Sequence, residues 1–184
     1  MLRTRSEYEA LPEDYKEALH AVISAGGRIT TPETIPQTTS YHLHAVADRV
    51  TIQAVLTDYD PDADKGTWTI TVTVDGKPLP EPIREWWHAL QVLMDPDALV
   101  PERLIDTERY TETVMRPCPH AAPPMETRPL SGAEVRARYA DLRRREHTRT
   151  VAKPGEVTFV HDWPAGCPEH SSSWHAWKYT RVSG

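Results

Sequence analysis

The chain of 184 residues has no Asn, one Phe and only two Cys, and it lacks any apolar run of about 18 residues. The last absence excludes a membrane-spanning helix, which needs roughly 20 predominantly apolar residues. The N-terminal stretch has two early Arg but no apolar h-region, so it does not read as a secretory signal. With so few cysteines and no signal, a cytoplasmic location is the default expectation. Catalytic signatures are missing as well. There is no GxSxG, no P-loop, no GxGxxG, no HExxH and no deaminase H-x-E with P-C-x-x-C. No catalytic residue is assigned, and the chain is read as non-enzymatic.

What is present bounds the answer further. An apolar fraction of 39% supplies one ordinary core. Residues 1–184 are therefore expected to form a single domain, with 1–12 a flexible start and 117–184 a semi-independent C-terminal subregion. Six Trp and seven Tyr bring large rings with polar handles, suited to core edges and interfaces. The formal charge of −6 argues against nucleic-acid binding over the whole surface. That charge is uneven: between Glu126 and Lys153, eight basic residues face four acidic ones.

Periodicity predicts the elements. Tyr15, Leu19, Val22 and Ile23 recur at helical spacing between Pro12 and Gly26-Gly27, so a helix spans about Glu13–Ser24. Val50, Ile52 and Leu56 alternate along one strand. Trp68, Ile70, Val72 and Val74 alternate strictly with Thr67, Thr69, Thr71 and Thr73 along its partner, and Asp75-Gly76 turns the chain. A second helix is predicted from Pro82 to Met94, with Ile83, Trp86, Trp87, Leu90 and Met94 as the stripe covering that strand face. Arg109–Met115 reads as a third strand and the five prolines of 117–129 as irregular chain. Ser131 and Glu134 form a capping box opening a third helix that runs to about Glu146. Val157–His161 and Trp174–Val182 read as closing strands. The fold class expected is α+β: a small antiparallel sheet covered on one face by two to three helices, with Pro-rich loops tied by a structural zinc.

The zinc expectation rests on Cys118, His120, Cys167 and His170. Thiolate and imidazole are the ligands zinc prefers, and two short-spaced pairs from two loops are how a closed tetrahedral site is built. His161 and His175 can replace a member or support it. Free thiols without metal, and a Cys118–Cys167 disulfide, are the alternatives. A second constellation is the basic helix. Val135, Tyr139 and Leu142 make a narrow apolar stripe flanked by Arg136 and Arg143 on one side and Arg138 and Arg145 on the other, with Arg144 pointing away and Arg149 and Lys153 beyond. Such charge can contact phosphates, or a partner protein, or pair with acidic neighbours. Asp58, Asp60, Asp62 and Asp64 alternate as in a calcium loop, yet the Gly at the sixth position and Glu at the twelfth are lacking. A solvated hairpin tip is the simpler reading. His42 and His44 share one strand face and read as ordinary edge residues.

Three functions follow as expectations. The first is a regulatory accessory protein that binds a larger protein partner. The second is an accessory DNA-binding protein acting through Ser131–Lys153. The third is a small metal- or thiol-dependent enzyme. Trp163, Trp174 and Trp177 favour the first if their rings are exposed.

Overall fold

The computed structural model describes residues 8–30, 40–63, 65–115, 127–144, 148–163 and 173–182. The chain divides into two compact units, Met1–Pro96 and Asp97–Gly184. The architecture is α+β, as its patterning implies, but the strands make two five-stranded antiparallel sheets and not one small sheet. The closing strands pair with Arg109–Met115, so they build a sheet of their own.

In the first unit, helix α1 spans Glu13–Ser24. It stops where Gly26 takes a φ of +85°, and Gly27 N–H then reaches back to Val22 O at 2.9 Å. The sheet follows in simple chain order: β1 (Arg28–Ile29), β2 (Tyr41–Ala47), β3 (Val50–Asp60), β4 (Lys65–Val74) and β5 (Lys77–Pro78). Register sets Ile52 opposite Val72 and Leu56 opposite Trp68, so the alternating apolar residues share one face. Leu43, Ala45, Ile52, Ala54, Leu56, Ile70 and Val72 are all buried there, while Gln53, Thr69 and Thr71 stay exposed. Asp75 and Gly76 both adopt positive φ, the geometry a two-residue hairpin needs. Arg49, in the other turn, grips the Asp75 carboxylate through Nε at 2.9 Å and a terminal nitrogen at 2.6 Å. The open edge of β2 is capped from α1, where the Tyr15 hydroxyl donates to His42 O at 2.6 Å. Tyr15 also stacks on Trp68, and Trp68 meets Trp86 edge-on at 5.0 Å.

Helix α2 begins later than its stripe implies, covering Trp86–Met94. The backbone at Ile83 bridges to Ile70 of β4, which keeps it extended and removes Ile83 from the helix. The buried arc becomes His88 to Leu93, and Trp87 and Met94 face outward at 50% and 53% exposure. The expected covering stripe is thus half surface.

In the second unit a 3-10 turn, Pro101–Arg103, precedes β6 (Arg109–Met115), β7 (Thr127–Ser131), helix α3 (Gly132–Arg143), β8 (Thr148–Lys153), β9 (Glu156–Trp163) and β10 (Ser173–Arg181). The strand order is β7-β6-β10-β9-β8. Strands β7 and β8 are unpredicted: β7 holds Pro129 in an edge strand, where a proline is tolerated. The capping box of α3 forms as expected, with Glu134 N–H donating to Ser131 Oγ and Ser131 N–H donating to Glu134 Oε2. The helix ends at Arg143, short of Glu146. Its Val135 and Leu142 complete a core with Leu99, Leu104, Tyr110, Val157, Phe159 and Tyr179. The single Phe lies at its centre, its ring in contact with those of Tyr139 and Tyr179.

Gly132 opens α3 in a space with no room for a side chain. A Cβ there would lie 1.9 Å from the backbone oxygen of Ile105. Backbone cannot rotate away, so Gly132→Ala should destabilise the protein by at least about 2 kcal/mol, read as a lower urea midpoint at unchanged m-value. Retained stability would show that the α3 entry shifts freely.

Candidate functional site

Cys118, His120, Cys167 and His170 lie outside the described residues, as does Arg145. Among the described residues no group of three or more His, Cys, Asp or Glu side chains is placed to hold a metal. The strands flanking the two Cys/His segments are nevertheless neighbours. Residues 116–126 connect β6 to β7, and 164–172 connect β9 to β10. Met115 stands opposite Ala176, and Ser173 opposite Trp163, so in this antiparallel order both connections leave from one end of the sheet. His161 and His175 are direct cross-strand partners at that end, and Thr148 Oγ1 lies 3.1 Å from His161 Nδ1. Trp174 and Trp177 are half-buried, with Trp177 packed against the core.

Helix α3 does not present its arginines as a continuous row. Arg136 Nε donates to Asp106 Oδ1 at 3.0 Å, and a terminal nitrogen donates to Leu104 O. Arg144 pairs with Asp141 at 3.1 Å. Arg138 leans toward Glu112, its Nε 3.8 Å from Oε1. Arg143 and Arg149 are exposed. At the first unit's acidic tip, the Asp60 carboxylate accepts from the backbone N–H groups of Asp62 and Ala63, which closes the turn.

The strongest electrostatic feature is one that motif reading misses. Glu112 is 2% exposed on β6. An ionised carboxylate costs several kcal/mol to bury unless partners replace its water. Tyr179 of β10, directly opposite, donates its hydroxyl to Glu112 Oε1 at 2.8 Å. Arg128 of β7, opposite on the other side, donates Nε to Oε2 at 2.5 Å. Burial pushes the Tyr179 phenol far above its usual range, and the bond to Glu112 adds to that, so it remains a protonated donor. The sequence does hold a signal for this site. In the run from Tyr110 to Val114, Glu112 falls in phase with two apolar residues, which places a carboxylate on the inward face. A smaller version lies nearby, where the buried Tyr110 hydroxyl donates to Glu108 Oε2 at 3.0 Å and Arg181 pairs with the same oxygen at 2.7 Å.

Among the described residues no helix is long and apolar enough to cross a membrane. Comparisons with protein-family models, with known proteins and with solved structures find no match to this chain.

Two outcomes test this network. Tyr179→Phe strips one donor from a buried carboxylate and should lower unfolding free energy by about 1–3 kcal/mol; an unchanged urea midpoint would mean Glu112 is satisfied without it. The second concerns acid stability. The Ser131 backbone N–H, and then its hydroxyl, hold the Glu134 carboxyl below its ordinary value of 4.5. A depressed folded value contributes stability that is complete above the unfolded value and is lost as pH falls through the folded one. Helix signal should therefore decline on acidification below about 4.5, and Glu134→Gln should flatten that part of the profile. Superimposable acid titrations of the two proteins would refute the assignment.

Proposed function

We propose that this chain is a non-catalytic accessory module that binds a larger protein partner through the outward face of α2, its C-terminal loops held by a structural zinc. One observation carries the reading: Trp87 and Met94, seven residues apart on one helix, are half-exposed. Two helical turns align them on one face. Aromatic rings and methionines are enriched in interface cores, where they fill pockets on a partner. Ile23 of α1 is exposed as well, at 58%.

The zinc would take Cys118, His120, Cys167 and His170, a closed set with no open position for substrate. What supports it is that both loops carrying these residues spring from one end of the second sheet. DNA binding through Ser131–Lys153 draws on Arg143, Arg144 and Arg149, which are exposed. It is the weaker reading because Arg136 and Arg144 are each paired with an acid, Asp106 and Asp141.

A photo-crosslinking residue placed at Met94 should capture one discrete protein in the native cell, while the same residue at exposed Thr71 should not. Equal capture from both positions, or none from either, would sink the α2 surface. Replacing Arg143 and Arg144 together by Ala should leave duplex DNA affinity unchanged; a steep salt-dependent loss in the double variant would favour the DNA reading. Protein purified without added zinc should carry about one zinc per chain, and Cys167→Ser should lose both metal and thermal stability. A metal-free wild type of equal stability ends the zinc idea.

A further inference from the structure

Glu112 organises two arginines without using up their donors. Arg128 is its direct cross-strand partner and commits only Nε to Oε2. The other carboxylate oxygen is taken by the Tyr179 hydroxyl, which leaves Arg138 at 3.8 Å in an ion pair too long for a hydrogen bond. A guanidinium carries its N–H donors in a rigid fork, so orienting Nε also aims the terminal nitrogens. Among the described residues Glu112 is the only carboxylate within ion-pair distance of either group. Glu134 acts on Arg128 from farther away, and its own Oε2 already accepts from the Ser131 N–H and hydroxyl. The Arg128 and Arg138 side chains are 51% and 36% exposed, over a carboxylate that is almost wholly covered.

We propose that Arg128 and Arg138 form a fork that binds one oxyanion, the phosphate or carboxylate of an acidic segment on a protein partner. Bidentate arginine donors match both groups in geometry and charge. The fork stands on a sheet strand and a helix, and its supporting carboxylate is fixed by a buried phenol, so little freedom is lost on binding. Nucleic acid is the poorer occupant. Arg136 and Arg144, on the same helix as Arg138, are each matched by an acid, Asp106 and Asp141, so those pairs add no net positive charge for the next phosphates along a strand. This proposal rests on the partner-binding reading only for what carries the oxyanion.

The test uses the full chain at low ionic strength. Inorganic phosphate should raise the melting temperature in a concentration-dependent manner. A phosphoserine peptide should bind more tightly than its unphosphorylated form in a calorimetric titration, and the aspartate version of the peptide shows whether a carboxylate suffices. Arg138→Ala should weaken phosphate and peptide binding about tenfold or more, as should Arg128→Lys, which keeps charge but loses the fork. Arg138→Ala breaks no short hydrogen bond, so it remains informative if Arg128 variants fail to fold. Arg144→Ala should change nothing. No phosphate effect, an equal loss in Arg144→Ala, or duplex DNA bound more tightly than the phosphopeptide with the same Arg138 dependence would each overturn the fork. A lost crosslink at Met94 with intact phosphate binding would sink the α2 surface and leave the fork standing; the reverse pattern would sink the fork alone.

Discussion

A carboxylate withdrawn from water must be met by donors, and in residues 97–184 the way Glu112 is met joins four elements. The carboxylate belongs to β6, its hydroxyl partner to β10, one guanidinium to β7 and the other to α3. Each is brought there by strand register or helix phase, and a slip of one residue in β6 would turn Glu112 to the other face. The apolar core around Tyr110, Phe159 and Tyr179 supplies the driving force for this unit. The polar network supplies a reason for one register over its neighbours.

The first unit is held by different means. Its sheet runs in chain order, so neighbouring strands in sequence are neighbours in the sheet, and β2 to β5 are joined by short turns. The Arg49–Asp75 clasp ties the two turns at one end, and Tyr15 closes the β2 edge that the two-residue strand β1 leaves uncovered. Once Ile83 is held in extended backbone by Ile70, the following helix is short and keeps only part of its apolar surface inside. That is what leaves Trp87 and Met94 at the surface. A pairing decision in the sheet thereby sets the character of the helix face on which the proposed partner contact rests.

Much of the local architecture is legible in the residues. The strict alternation of Thr with Trp, Ile and Val specifies β4 and its inward face, and the Pro12 and Gly26 signals bracket α1 at its observed ends. The Ser131–Glu134 box places the start of α3 because its hydrogen bonds are formed within three residues. Legibility fails where the stabilising partner is distant. Strands β7 and β8 have no strong period of their own and form because β6 and β9 offer them unpaired edges. The arginines of α3 look alike in sequence, yet Asp106, from a turn 30 residues away, takes one and Glu112 another.

By itself the sequence determined the α+β class, the β3–β4 hairpin, the extent of α1, the capping of α3 and the outward-facing charge of the acidic tip. These depend on propensities and hydrogen bonds within a few residues. Only the tertiary structure decided that there are two sheets, that the Trp87–Met94 side of α2 faces water, and that Arg128 and Arg138 converge on Glu112. Convergence of that kind depends on strand register and helix phase across some 26 positions, and short-range pattern does not encode it.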